Sequence, residues 1–411
     1  MEENTEINRS NKYSTYNLLK DYCTRIYFFG IEDFWFETLP RNKYDQFYKY
    51  FSFFAFTFYG TIIILETLEA VFFTFPSEQH QDSVSYAISH NIILVKFILI
   101  KHAKQNVKSL LQRIIKVCEK YEEPSILRSQ SKRTSYYLRA QVIVIYFALV
   151  NYVVEGARRA YYQGEPFSSV ITYWPLYEDR SIMATAFRIF YIPQLWSLMG
   201  AMIITDSFAM VHLVILSFKF MTLRRYYENI PKELNKIPER NDVERAEKLK
   251  QACLEGILMH RELIRFLNII FLNVDKVYGA MMSLQVSLTS AVAVLLFLRL
   301  ALLEHPNFSN ILMTVGFIMG LFVQLAIYLW NAGEITYQAS LLSTAIFHCG
   351  WHFCTVKSAA GKDARRLVLL SCAQAQQPLI MKAFGIQDLS YDTFATVATY
   401  HQVDRQPVCR S

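Results

Sequence analysis

Glycine and proline are scarce in this chain, 13 and 11 in 411 residues, and together they are outnumbered by phenylalanine (31) and by tyrosine (26). So few breakers exclude loop-rich, collagenous and low-complexity architectures. Motifs of catalysis are missing as well. There is no Gly-rich phosphate loop, no Gly-x-Ser-x-Gly, no His-Glu-x-x-His and no Cys-x-x-Cys, so no constellation for nucleotide, acyl-transfer or zinc chemistry is present, and no cofactor is implied. His348 and His352 are four apart around Cys349, yet no carboxylate or second cysteine shares their phase, which favours packing over metal binding. The first 23 residues are polar and lack a cleavable apolar core, so the first apolar helix is expected to act as the membrane signal.

What is abundant is apolar: 53% of the residues are hydrophobic, and they collect in long runs separated by charged stretches. A bilayer core needs about 20 apolar residues per helix. Runs of that length predict an all-α polytopic membrane protein with seven spans, at about 50–74, 84–102, 138–157, 184–218, 277–303, 310–332 and 384–406. The fourth is long enough to project beyond the bilayer. The last is the weakest. The stretch 337–372 is apolar but carries Lys357, Lys362, Arg365 and Arg366, and reads as helix at or outside the membrane surface. No internal repeat divides the chain, so residues 1–411 form one domain.

The net charge of +7 invites nucleic acid as a partner, but its placement points to membrane topology instead. Lys and Arg crowd residues 1–49, 103–137 and 219–276, whereas 75–83 and 304–309 have none and 158–183 has only Arg158, Arg159 and Arg180. The basic segments belong in the cytoplasm, so the N-terminus lies inside and, with seven spans, the C-terminus outside. That is the reverse of a G-protein-coupled receptor, an alternative further weakened by the lack of an Asp/Glu-Arg-Tyr triplet after span three and of Asn-Pro-x-x-Tyr in the last span. Cys23, Cys118, Cys253, Cys349, Cys354 and Cys372 all fall in segments assigned to the reducing cytoplasm. The sequon at Asn307 lies in a short outer loop and is a candidate glycosylation site.

The C-terminal third carries a family pattern. The Asn331–Glu334 turn, Ser340, the Ala345-Ile346-Phe347 run, Trp351, the Arg365-Arg366 pair, Gln377-Pro378, Leu389-Ser390 and Phe394 follow one another in the order found in the insect odorant receptor family, which the chain resembles. The N-terminal two thirds match in length and topology rather than in motifs, and the style of the C-terminal region is moth- or butterfly-like. The resemblance implies a ligand-gated cation channel of four subunits around one pore, in the plasma membrane of chemosensory neurons, in which a ligand-tuning subunit pairs with an odorant co-receptor. The moderate length of 219–276 implies the tuning subunit. A cytoplasmic anchor region would correspond to about 205–276 and 333–372. A gustatory receptor channel is the nearest alternative, since Thr399, Tyr400 and Gln406 fit its spacing; the intervening residues and Pro407 do not.

By the same resemblance the last span lines the pore, which assigns Thr399, Val403 and Gln406 to it. His401, Gln402, Asp404 and Arg405 then interrupt an apolar stretch, and a charge at mid-bilayer costs about 2.5–3.5 kcal/mol. The helix ends near Tyr400, or the charges face water in the pore mouth, or the terminal exon is misread or decaying. The ligand, a small hydrophobic volatile, is expected in the outer half of the bundle between spans two and six. With the orientation above, the candidates are Tyr86, His90, Phe147, Asn151, Tyr152, Phe187, Tyr191, Trp196, Met313, Thr314 and Phe317. Each aromatic taken singly is more often packing than ligand contact; together they offer dispersion, with Asn151, His90 or Thr314 for one hydrogen bond. Within the spans, Glu66 or Glu69 is expected to pair with Lys96, because spans one and two are adjacent and antiparallel.

Overall fold

The structure is a computed structural model, and it describes residues 13–37, 43–72, 77–162, 164–167, 170, 172–238, 241–268, 277–302, 308–354, 358–380, 382–383 and 387–388. Apart from one two-residue antiparallel pairing, Lys382–Ala383 with Gln387–Asp388, its regular structure is helical. In chain order the helices are α1 (Thr15–Phe28), α2 (Lys43–Phe72), α3 (Ser77–His102), α4 (Lys104–Lys116), α5 (Pro124–Tyr162), α6 (Ile182–Leu234), α7 (Asp242–Leu267), α8 (Val277–Leu302), α9 (Phe308–Phe347) and α10 (Ala359–Ala375). Serine side chains cap several starts: Ser14 accepts from the Asn17 amide, Ser181 from Ala184 and Ser358 from Gly361.

Six of these helices, α2, α3, α5, α6, α8 and α9, are long and apolar enough to cross a membrane, and they correspond to the first six expected spans. Of the seventh, 384–406, only Gln387 and Asp388 are described, in the short strand pairing; Thr399, Val403 and Gln406 lie outside the described residues, as does Asn307. The burial of the spans differs. The most apolar stretch of α6 is wholly buried, whereas only a third of that of α2 or α5 is. A helix apolar on every side must be enclosed by others, and α6 is indeed the post against which α1, α5, α7 and α9 pack. The exposed Phe53, Phe54, Ile143 and Phe147 of α2 and α5 form faces fit for lipid.

Three helices outrun the bilayer. At 1.5 Å per residue α6 is roughly 80 Å long and α5 and α9 roughly 60 Å each, against a core of about 30 Å. Their excess lies at one end, where Arg133 of α5 is 4.0 Å from Glu334 of α9 and Arg224 of α6 donates to Gln338 of α9 at 3.1 Å. The α7 and α10 helices pack there too. Two sequence readings change. Residues Asn331–Glu334 are not a turn: α9 continues unbroken to Phe347, and Asn331 is buried inside it with its amide on the Ile327 carbonyl at 2.7 Å. His348 and His352 do not share a helical face, because α9 ends before them and His352 lies in a separate short 3-10 turn. Cys23, Cys118, Cys253, Cys349, Cys354 and Cys372 are free thiols, and all are buried.

Candidate functional site

A cavity of about 60 Å³ lies between α3, α5, α6, α8 and α9. It has room for only about four to six water-sized groups. Its wall follows helical phase. On α5 the residues that reach it are Ile145, Ala148, Leu149 and Tyr152, one face at spacings of three and four. On α9 they include Gly316, Phe317, Gly320, Leu321 and Gln324, again one face. The two glycines leave the space: a methyl group on Gly316 or Gly320 would reach Ala148 or Ile145 only at 3.8–3.9 Å. Tyr86 of α3 stacks on Phe317 with ring centres 5.6 Å apart and meets Tyr152 edge-on at 5.4 Å.

Of the expected ligand residues, Tyr86, His90, Tyr152 and Phe317 line this cavity together. The others stand elsewhere. Phe147 is 52% exposed on the outer face of α5, and Asn151 beside it donates to the Phe147 carbonyl at 2.7 Å. Both are aromatic or polar residues of the right depth in the wrong phase. Phe187 packs edge-on against Trp174 at 4.7 Å, and Trp196 against Tyr146 at 5.8 Å. Met313 and Thr314 are buried in α9 one turn short of the cavity. Tyr191 is buried behind it, its hydroxyl donating to Glu66 at 2.5 Å. Sequence reasoning missed Met199, Met202 and Gln324, which the cavity also uses. The one signal for them was the Gly316–Gly320 pair, which leaves space opposite on a neighbouring helix.

Three of the polar residues at the cavity, Ser89, His90 and Gln324, already have partners. His90 Nδ1 bonds to the Glu66 carboxylate, and the Ser89 hydroxyl donates to the Ser85 carbonyl at 2.7 Å. Gln324 accepts from the Gln285 amide at 3.1 Å and donates to Asp206 Oδ2 at 3.3 Å. Gln324 thereby joins the cavity to a buried network. Lys96 Nζ donates to Asp206 Oδ1 at 3.0 Å and Oδ2 at 3.3 Å, and to Gln285 Oε1 at 2.5 Å. The Tyr328 hydroxyl lies within hydrogen-bond reach of both the Asp206 carbonyl (2.9 Å) and its carboxylate (3.1 Å). Four spans, α3, α6, α8 and α9, meet in it.

The expected pairing of Lys96 with Glu66 or Glu69 is therefore corrected. The register of the antiparallel α2–α3 pair explains why. Glu66 faces His90, Thr67 faces Asn91 and Phe56 faces Lys101. Lys96 then lies some six residues, about 9 Å, deeper than Glu66, at the level of Asp206 instead. Glu69 is buried and makes no hydrogen bond of ordinary geometry among the described residues, with the Ser83 hydroxyl as its polar neighbour.

The comparisons with known proteins agree with this architecture. The profile described as 7tm Odorant receptor matches residues 77–400. No curated protein sequence matches the chain. Among solved structures, the insect olfactory receptor OR5 from Machilis hrabei in complex with eugenol superposes with a TM-score of 0.75 at 13% identity, covering 96% of this chain and 98% of that one. The same receptor described without eugenol superposes with a TM-score of 0.74 at 14% identity, covering 96% and 100%. Identities this low speak for the fold alone. The profile spans most of the sequence, and on that ground the chain belongs to the 7tm odorant receptor family.

Proposed function

We propose that this chain is the ligand-tuning subunit of an odorant-gated cation channel, and that the cavity beside Tyr86, His90, Tyr152 and Phe317 is where the odorant binds. The observation that carries the reading is the cavity itself: it lies among five spans, is walled mainly by aromatic and aliphatic side chains, and has Ser89, His90 and Gln324 already bonded. Such a site selects small apolar molecules by shape. The described relative is in complex with eugenol, a volatile aromatic; at about 60 Å³ the cavity of this chain takes a smaller apolar molecule unless its side chains move. Family membership favours a receptor over a catalyst, and it sets aside the gustatory and G-protein-coupled alternatives.

The finer assignments form part of the same proposal. The N-terminus is cytoplasmic, because the basic loops alternate with loops poor in Lys and Arg. The projecting ends of α5, α6 and α9, with α7 and α10, then form the cytoplasmic anchor through which the subunit meets its co-receptor in a tetramer, in the plasma membrane of a chemosensory neuron. Thr399, Val403 and Gln406 would line the pore, with Asn307 glycosylated outside. The test is current recorded from cells expressing the chain with and without the co-receptor across an odorant panel. Odorant-evoked cation current that needs both subunits, with an N-terminal epitope stained only after permeabilisation, is the expected result. Responses that survive without a co-receptor and require G-protein signalling would overturn the proposal.

A further inference from the structure

The lipid-facing side of α5 continues past the point where its apolar residues stop. Ile143, Phe147, Val150 and Val154 are exposed at spacings of three and four, which is one face of a helix. Carried back toward the start of α5, the same spacing reaches Arg139, Tyr136, Lys132 and Arg128, and these are exposed as well. A single stripe therefore passes from lipid into charge. From Pro124 to Val154 the helix holds four cations and no acid. Arg133 leaves the stripe: it lies 4.0 Å from Glu334 and over the Phe218 ring at 5.2 Å. Arg128 stands over the Tyr13 ring at 5.6 Å, which leaves its charge uncompensated. Arg128, Lys132 and Arg139 have no acid within ion-pair distance among the described residues.

Two observations fix the depth of the stripe. Arg139 and Arg158 are 19 residues apart, which is roughly 29 Å of helix against a hydrocarbon core of about 30 Å. Nothing between Arg139 and Glu155 is charged, so Arg139 stands at one edge of the core. The second observation is aromatic. The α9 helix runs antiparallel to α5, with Gly316 beside Ala148, Gly320 beside Ile145 and Glu334 beside Arg133. That register puts Trp330 at the level of Tyr136, and both are exposed, 54% and 68%. Exposed Trp and Tyr mark the boundary of membrane and water. Lys132 and Arg128 then lie about 6 and 12 Å beyond that boundary, and Arg139 about 4.5 Å inside it, where its long side chain can reach back to the headgroups.

We propose that this stripe binds a phosphoinositide, an inositol phospholipid carrying phosphate monoesters, in the cytoplasmic leaflet. Its diester phosphate lies between Arg139 and Lys132 beside Tyr136, its ring phosphates reach Arg128, and its acyl chains run along Ile143 and Phe147. Clusters of Lys and Arg just beyond a span attract anionic lipid. The spread of the charges selects the headgroup. Three uncompensated cations are set along about 16 Å of helix, more than phosphatidylserine can use with its one net charge. A phosphorylated inositol ring carries several charges and distributes them along the bilayer normal. The inference takes the basic end as cytoplasmic, the orientation proposed above, and it is independent of the odorant cavity.

The test uses the full chain with its co-receptor in phosphatidylcholine nanodiscs. These contain a phosphatidylinositol bisphosphate analogue with a diazirine in its acyl chain, and labelled peptides are identified by mass spectrometry. Both leaflets carry the analogue, so a failure to bind is distinct from a failure of the orientation, which the N-terminal epitope reports. Label is expected on residues 140–150 and should be cleared by unlabelled phosphatidylinositol bisphosphate. Lys132→Gln/Arg139→Gln should weaken it about tenfold or more, and Arg128→Gln about threefold or more. The thermal midpoint and co-receptor pull-down should not move, because these side chains are exposed. Lys132→Arg/Arg139→Lys keeps the charges and should keep most of the label. Phosphatidylserine at equal total lipid charge is the second arm and should compete poorly. The proposal fails if phosphatidylserine competes as well as the bisphosphate, since the stripe is then a general anionic surface. It fails too if label spreads evenly over the exposed faces of α2 and α5, or if the Gln variants keep it. Loss of co-receptor pull-down in the Gln variants would instead make the stripe a subunit interface and overturn the lipid assignment.

Discussion

Replacing Lys96 by methionine should destabilise the bundle far more than replacing Lys96 and Asp206 together. The ammonium makes three close contacts, two to Asp206 and one to Gln285, and both charged residues are buried to 1% exposure or less. In soluble proteins, leaving one partner of a buried pair uncompensated costs about 3–5 kcal/mol. Within membranes, interhelical hydrogen bonds average nearer ~0.6 kcal/mol, with a maximum of ~1.7. Asp206 would also keep its contacts with Gln324 and Tyr328. Three lost contacts and a charge with two remaining partners place Lys96→Met at about 2–4 kcal/mol. Asp206→Leu strands the ammonium and should cost a similar amount. The double variant strands neither, and well-packed apolar replacement of a buried pair is often close to neutral. The thermal midpoint of the detergent-solubilised receptor and its surface population report the three variants. Non-additivity of about 2 kcal/mol or more is expected, well beyond the ~0.5 kcal/mol scatter of independent sites. Lys96→Met and Glu66→Gln, by contrast, should simply add. If the Lys96 and Asp206 changes are additive while the Lys96 and Glu66 changes couple, the network described here is wrong.

Gly320→Leu should fill the proposed odorant cavity and raise the effective concentration of every active odorant by more than about tenfold, or ~1.4 kcal/mol, with surface delivery intact; an unchanged dose–response curve would move the site elsewhere. Replacing an odorant's oxygen by a methylene should change potency by less than about tenfold, because Ser89, His90 and Gln324 at the cavity are already bonded; a hydrocarbon analogue that loses all activity would show that one of those bonds opens to the ligand or that a wall tyrosine hydroxyl takes it. Gly256→Ala puts a methyl group 2.2 Å from the Tyr227 hydroxyl and should cost about 1–3 kcal/mol by overpacking, with recovery in a Tyr227→Leu background; the prediction fails if thermal melting is unmoved. Burial holds the pKa of His260 below its ordinary value, so the unfolded chain takes up a proton first as pH falls below about 6.5. Stability should therefore drop from that point downward, and His260→Phe should blunt the drop when melting is followed from pH 7.5 to 5.

The existence and order of the first six spans were legible because an apolar run of bilayer length has few other uses. Where each helix stops was not. Residues 333–347 continue α9 beyond the expected end of span six, since polar Asn331, Glu334 and Gln338 find partners on or beside the helix rather than breaking it. The depth of ligand candidates could be read from orientation, and Tyr86, His90, Tyr152 and Phe317 do meet at one cavity. Their phase could not be read as well. Phe147 and Asn151 have the same depth as Ala148 and Tyr152 and differ from them by about 100° of helical rotation. Composition cannot supply that angle when α5 is apolar on both its lipid face and its core face.

The charges inside the bundle show the same limit from another side. A buried lysine announces that an acid lies near it, because the alternative is an unpaired ion in a low dielectric. It does not announce which acid. Glu66, Glu69 and Asp206 were all available to Lys96, and adjacency in sequence favoured the first two. Register decided the matter: the α2–α3 pairing puts Glu66 at the level of His90, and Tyr191 from α6 completes that carboxylate. Lys96, set deeper, meets α6, whose most apolar stretch is wholly buried, at Asp206. The consequence reaches the ligand. Because Asp206 and Gln285 hold the side-chain amide of Gln324, that residue lines the proposed odorant site without offering a free hydrogen bond, and discrimination there would rest chiefly on the shape left by Gly316 and Gly320 between the rings of Tyr86, Tyr152 and Phe317.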